Sequence, residues 1–300
     1  MPRKEPIVCL GIMVADVVGR PVREIPAPGR LVLVEEMGLH TGGCAINAAT
    51  ALARLGLPVD VVGKIGRDPF GDFLLGILAE RGVGTTGVRR DPQVGTSATM
   101  VLVEPDGERR FVHYIGANAR LTLEDLDLPK IEGASVLHVA GSLVAAGVTT
   151  FLDTVWDDTG RWMQVLEPCL PHIDYFIPSL PEAQALSGKA NPEDIARFLL
   201  DQGVGTVGLK MGAEGCLVMS KATETIRLPA FQVDVVDATG AGDAFAAGFI
   251  AGVWNAWPLE DTARLANAVG ALCVTGIGAT GGVRSWPETL KFMESTALRQ

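Results

Sequence analysis

No Cys-x-x-Cys pair occurs in the 300-residue chain, and the five cysteines, Cys9, Cys44, Cys169, Cys216 and Cys273, are scattered along it. That excludes the common zinc modules and a disulfide framework, and it suits a reducing compartment, the cytoplasm. No lysine- or arginine-rich cluster offsets the formal net charge of −10, which argues against a nucleic acid as partner. Asp16 interrupts the apolar stretch behind Arg3 and Lys4, so no signal peptide is expected. Residues 266–283 lack charge, yet Asn267, two threonines and several glycines suit a buried helix and loop better than a membrane span, and no membrane partner is expected. No G-x-G-x-x-G follows the first apolar run, and neither Gly63-Lys64 nor Gly188-Lys189 completes a P-loop.

What is present is a globular composition, with 48% hydrophobic and 20% charged residues, enough to bury a sizeable core. Residues 235–253 stand out. From Ala244 the chain is apolar without charge or proline, the composition of a buried helix, and residues 239–242 stand at its entrance. The first turn of a helix leaves N–H groups unpaired at the positive end of the macrodipole. Gly240, Ala241 and Gly242 carry almost no side chain, so an anionic oxygen can approach those amides. Asp243 then reads in two ways: as a helix-capping acid, or as a base that takes a proton from a nucleophile attacking phosphorus.

Earlier in the chain, residues 7–11 read as a buried parallel strand and residues 31–34 as another. Asp16 is either a solvated turn residue or a carboxylate aimed at the hydroxyls of a polyol. Ile46, Ala49, Leu52 and Leu55 then recur with helical spacing up to a stop at Gly56, with Gly42 and Gly43 at the helix mouth and Asn47 in its first turns. Asp68-Pro69 starts a helix to about Arg81, with Phe70, Phe73, Leu74 and Ile77 as its apolar face. Residues 96–103 and 109–115 flank Pro105-Asp106-Gly107, a hairpin signal. Residues 135–140 and 148–153 read as core strands, but only residues 141–147 separate them, fewer than the dozen or so a parallel crossover needs. Residues 175–178 read as a short strand, Asn191-Pro192 opens a helix to about Gln202, and residues 207–211 lead into a Gly212-Ala-Glu-Gly215 turn.

Two of these stretches carry a resemblance. Asp237-Ala-Thr-Gly-Ala-Gly-Asp243 resembles the second signature of the ribokinase family, the PfkB-type carbohydrate kinases. Far upstream, Gly42-Gly-x-x-x-Asn47-x-Ala-x-x-Leu-x-x-Leu-Gly56, continued by residues 62–71, resembles the first. The resemblance covers nearly the whole chain. It implies one three-layer α/β/α ribokinase-like domain over residues 1–300, with a small β-sheet lid from strands near 12–38 and 96–115.

The same resemblance implies transfer of the γ-phosphoryl group of ATP to a hydroxyl of a sugar or polyol. Asp243 would be the base, with the amides of Gly240, Ala241 and Gly242 on the transferred group, and Asp16, Gly42, Gly43 and Asn47 would hold the acceptor. Lys210, Gly212, Gly215, Asn267, Ala279 and Gly282 would line the nucleotide site. Mg2+ would ride on the ATP phosphates with Glu182 in its outer shell, and Asp237 would support a monovalent cation such as K+. Ser179 stands where the family has Asn before that Glu, and without the family Pro181-Glu182 would read as an ordinary helix start. A helix is also expected where residues 141–147 stand. A homodimer through the lid is expected, and the alternatives are a nucleoside kinase of the same fold or a non-catalytic sugar- or nucleotide-binding relative.

Overall fold

A computed structural model describes residues 5–105, 108–140, 148–154 and 162–299. The chain opens with β1 (Ile7–Gly11), β2 (Val14–Arg20) and β3 (Glu36–Gly42), then α1 (Cys44–Arg54), β4 (Val59–Gly66), α2 (Pro69–Glu80) and β5 (Gly84–Asp91). The hairpin β6 (Ala98–Val103) and β7 (Arg109–Tyr114) leads to α3 (Leu128–Glu132), β8 (Val136–Ala140), β9 (Thr149–Asp153) and α4 (Trp162–Leu166). The second half runs β10 (Tyr175–Phe176), α5 (Leu180–Ser187), α6 (Pro192–Asp201), β11 (Thr206–Lys210), β12 (Cys216–Ser220) and β13 (Ile226–Leu228). It closes with α7 (Ala241–Trp254), α8 (Leu259–Cys273) and α9 (Trp286–Ser295).

Nine strands form one sheet in the order β13-β12-β11-β10-β9-β8-β1-β4-β5. Its pairs are parallel except β11 with β12 and β12 with β13. Alternation along β1 explains why it lies near the middle: Ile7 and Cys9 enter one core with α1, α7 and α8, while Val8 and Leu10 enter another with α5 and α6. The three-layer arrangement follows, with helices covering both faces.

The remaining four strands make the lid, in the order β3-β2-β6-β7. Here β2 pairs antiparallel with β3 and parallel with β6, and β6 pairs antiparallel with β7. The hairpin expected around Pro105 is present, although residues 106–107 lie outside the described residues.

One strand expectation fails. Residues 31–34 are not a strand, and Leu31 and Leu33 are 76% and 86% exposed. The strand begins later, at Glu36, because seven consecutive backbone pairs with β2 hold it, from Arg20↔Glu36 to Val14↔Gly42. The Arg20 guanidinium and the Glu36 carboxylate meet at 2.7 Å at its start. Pairing outweighs local propensity here.

The other elements stand close to where the pattern puts them. Asp68 caps α2 by accepting from Gly71 N at 2.9 Å, and Asn191 caps α6 through Glu193 N and Asp194 N. On α2 the buried residues are Gly71, Leu74 and Leu78, with Phe70 and Phe73 only partly covered. Strands β8 and β9 run parallel from Val136↔Thr149 to Ala140↔Asp153. Their connection, 141–147, where the helix was expected, lies outside the described residues.

Candidate active site

In an open α/β sheet, ligands gather beyond the carboxyl ends of the strands. Here those ends supply Gly11 from β1, Asp153 from β9 and Lys210 from β11, while α7 presents its first turn to the same crevice. Gly240 precedes that turn with φ +73, and a Cβ there would collide with Ala279 O, so glycine is required on both counts. No side chain caps α7, in contrast to α2, α5 and α6, so no side chain competes with an anion for its first amides, of which Ala241 N donates at 3.4 Å to Ala238 O.

Asp243 sits in that first turn. Asn47 Nδ2 donates to Asp243 Oδ2 at 2.8 Å, so the two stretches that carried the sequence signatures meet in one hydrogen bond across 196 positions. The Asn47 Oδ1 atom is buried and has no partner among the described residues, which leaves an acceptor beside the Asp243 carboxylate.

Lys210 supplies the positive charge of the site. Its Nζ lies 2.7 Å from Asp153 Oδ1, both side chains are buried, and a Cβ on Gly242 would sit 3.2 Å from that Nζ. Burial works against the Lys210 charge, but the carboxylates of Asp153, Glu182 and Asp243 outweigh it and raise the pKa. Asp153 is pushed up to about 7, first by burial, with Lys210 opposing and Asp243 and Glu182 adding to the rise.

The lid contributes a polar row. In register across its four strands stand His40 on β3, Asp16 on β2, Thr99 on β6 and His113 on β7. Directly paired residues point to the same face of a sheet. Thr99 Oγ1 and His113 Nδ1 are 3.0 Å apart. Burial raises the Asp16 pKa, while Thr99, His113 and His40 pull against it. Gly42 has to be glycine because a Cβ would overlap the Asp16 carboxylate. From β7, Arg109 reaches over to donate to Thr239 Oγ1 and comes within 3.8 Å of Asp237, fastening the lid to the turn before α7.

Asp237 shapes that turn. Its Oδ1 accepts from Thr239 N at 2.9 Å and Thr239 Oγ1 at 2.6 Å, and its Oδ2 from Gly278 N at 2.8 Å. Burial would raise its pKa, but these bonds and Arg109 hold it below the usual carboxylate range. Glu182 forms a capping box at the start of α5, accepting from Ser179 N at 2.8 Å and Ser179 Oγ at 2.6 Å. That is the helix-start role the bare sequence implied, and it leaves the carboxylate near enough to influence Lys210 and Asp153.

A cavity of 260 Å3 opens beside the mouth of α7, with Lys210, Gly212, Gly215, Ala241, Gly242 and Asn267 among its lining. Apolar side chains, including Val233, Val235, Phe245 and Val274, complete its walls. Lys210, Asn267 and Arg299 are its polar side chains. Ala279 and Gly282 do not line it. Ala279 backs onto Gly240, and Gly282 packs on the carbonyls of Leu272 and Cys273, so both shape the turn from behind. Among the described residues no group of three or more His, Cys, Asp or Glu could hold a metal ion, and no helix is long and apolar enough to cross a membrane.

Sequence reasoning missed Asp153, His138, Thr99 and His113. His138 is fully buried on β8, and neither ring nitrogen has a partner among the described residues. Burial, helped by Lys210, lowers its pKa to about 3, so it is neutral. A polar residue ending an apolar parallel strand was the available signal for Asp153. The lid residues had none, since only strand pairing aligns them.

Known proteins give the same outline. The family model described as pfkB family carbohydrate kinase matches residues 4–286. The 2-dehydro-3-deoxygluconokinase of Bacillus subtilis is 29% identical over 294 residues, covering 89% of this chain and 90% of that protein. The aminoimidazole riboside kinase of Salmonella typhimurium is 30% identical over 288 residues, covering 86% and 89%. The structure of Arabidopsis thaliana ribokinase complexed with ribose and ATP superposes with a TM-score of 0.87 at 26% identity, over 97% of this chain and 99% of that one.

Proposed function

The chain belongs to the PfkB family of carbohydrate kinases and is an ATP-dependent phosphotransferase acting on an alcohol group, and from this premise we propose how its residues divide the work. The acceptor is a sugar or polyol that lies between the lid and the mouth of α7, within one domain spanning residues 1–300. Asp16, Gly42, Gly43 and Asn47 hold its hydroxyls. Asp243 takes the proton of the attacking hydroxyl, and the amides of Gly240, Ala241 and Gly242 stabilise the charge that develops on the transferred oxygens.

The observation that carries this reading is the Asn47–Asp243 hydrogen bond, which sets the base against the acceptor segment at the entrance of an uncapped helix. Lys210, held by Asp153, serves the phosphates and Gly212, Gly215 and Asn267 the base, a division supported by their common place in the lining of the 260 Å3 cavity. Ala279 and Gly282 support the turn before α7 rather than touching adenine.

Mg2+ fits as a partner of the ATP phosphates. It keeps several waters and needs only one or two carboxylates, and Glu182 stands close enough to act through water. Bound there, it would neutralise charge on the phosphates. K+ at Asp237 has less support, because both carboxylate oxygens already accept hydrogen bonds and Arg109 places a positive charge beside them.

The lid exposes Leu31, Leu33, Met37, Met100, Phe111 and Tyr114, which supports a homodimer through this surface, testable by sedimentation. Phe111 and Tyr114, the aromatics a nucleoside acceptor would draw on, are 59% and 52% exposed, so no stacking pair favours that alternative. The five unpaired cysteines support a cytoplasmic setting. A coupled ADP-release assay across pentoses, hexoses, sugar acids and inositol tests the acceptor class. ADP release with none of them, or release that survives Asp243→Asn, overturns it.

A further inference from the structure

A second cavity, of 190 Å3, shares no lining residue with the 260 Å3 cavity beside α7. Its walls come from His40 and Thr41 on β3, Arg54 at the end of α1, Phe73 and Ile77 on α2, Arg81 just beyond, and the loop at 277–281. Among the described residues no ion pair meets the charge in it. Arg54 Nη1 donates to the carbonyls of Thr280, Gly281 and Val283, and Arg81 Nη1 donates to Thr41 Oγ1 and Thr50 Oγ1 at 3.2 Å each. All five acceptors are neutral, and among the described residues neither guanidinium has a carboxylate at ion-pair distance.

Burial holds the Arg54 pKa below its ordinary value, and Arg284 lowers it further. Arg81 is lowered by burial and then by Arg54, with Glu80 opposing, so the two guanidiniums repel each other inside a chain whose formal net charge is −10. Like charges brought together and partly desolvated are costly unless an anion joins them. A guanidinium offers five N–H donors in a fixed fork, and on each arginine Nη1 alone makes the hydrogen bonds found among the described residues.

We propose that this cavity is a binding site for a phosphate group, carried either by inorganic phosphate or by a small sugar phosphate whose carbon skeleton lies on Phe73 and Ile77. Paired arginines match phosphate oxygens in bidentate fashion, and the apolar wall distinguishes this cavity from a bare ion site. The bound group bridges the lid strand β3 to the loop whose Gly278 N holds Asp237 and whose Ala279 backs Gly240. Catalysis plays no part in the assignment, so binding is measured without turnover.

The test is titration calorimetry with inorganic phosphate on protein saturated with ADP, for the wild type, Arg81→Gln and Arg81→Lys. The wild type is expected to bind one phosphate per chain, and Arg81→Gln to bind it at least about tenfold more weakly with unchanged ADP affinity. Arg81→Lys keeps the charge without the fork and is expected to bind between the wild type and Arg81→Gln, and thermal unfolding of both variants shows that the fold is retained. Crystals soaked in tungstate are expected to place the heavy atom between Arg54 and Arg81. Repeating the titration with a hexose monophosphate assigns the source: tighter binding that is also lost in Arg81→Gln identifies the organic phosphate, and equal binding identifies the free ion. Phosphate binding by Arg81→Gln equal to that of the wild type, or tungstate found only at the mouth of α7, overturns the proposal.

Discussion

The active site has two halves of different construction. The half on the main sheet is built from buried groups fixed by one another: Asp243 by Asn47, and Lys210 by Asp153. The half on the lid is a row aligned by strand pairing, and it meets the other half through Arg109 and Thr239. β1 is buried at all five positions, while every residue of β7 after its first is exposed. Under the proposed roles the difference makes reaction and capture separable, with the reacting groups on the buried half and Asp16, from the acceptor set, on the thin half.

Substitutions on either half put that separation to the test. Asp243→Asn should have the largest effect, lowering kcat by about a thousandfold while acceptor binding stays within a few fold. Steady-state kinetics together with acceptor titration read both quantities, and a parallel loss of binding would merge the two halves into one. Lys210→Met comes next. It strands Asp153 without its partner, so about 3–5 kcal/mol of stability should go. The ATP kcat/KM should also fall about a hundredfold. Denaturant unfolding and ATP kinetics check the two effects.

On the lid, Arg109→Ala should raise the acceptor KM about tenfold with kcat nearly unchanged, since a hydrogen bond from a charged donor contributes about 1.5–3 kcal/mol. A collapse of kcat instead would mean that the lid takes part in the reaction. The smallest expected effect is on stability alone. His138 is neutral and buried with a pKa lowered to about 3, so the stability it allows is complete above pH 6.5 and is lost as pH falls toward 3. Its share of the loss between pH 7 and pH 5 is about 2 kcal/mol. Asp153 acts with the opposite sign: its pKa is raised to about 7, and the stability it gives is lost as pH rises through that value. His138→Leu should therefore be less acid-sensitive than the wild type by about 2 kcal/mol over that interval, with unchanged activity at neutral pH. Urea unfolding at both pH values would read the difference, and identical pH dependence would mean that His138 is not buried as described.

The buried half was far more legible in the sequence than the lid. β1, α1 and α7 announce themselves through uninterrupted apolar spacing, and the residues at the mouths of α1 and α7 follow from helix-terminus physics. β3 did not, because Glu36-Met-Gly-Leu-His-Thr-Gly42 has little strand propensity and exists as a strand through its partner β2. The nearby Leu31 and Leu33 look more strand-like and stay in solvent. Within the site, Asn47 and Asp243 were found because each stands out against small apolar neighbours. Asp153 and His138 were not, since a single polar residue at the end or centre of a strand carries no periodic signal. Ala279 and Gly282 were expected at the nucleotide site and stand outside the lining of the 260 Å3 cavity, since side-chain size alone does not tell lining from backing.

The borders of the main sheet limit how copies of this chain could join. At one margin β13 offers three residues, Ile226–Leu228. At the other, β5 carries Arg89 and Arg90, and its pairing with β4 is interrupted by a bulge near Val62. Short, charged or irregular margins resist strand addition. A growing stack of main sheets is thereby blocked at both ends, and what remains open to strand addition is the lid, where β3 and β7 form the two free rims.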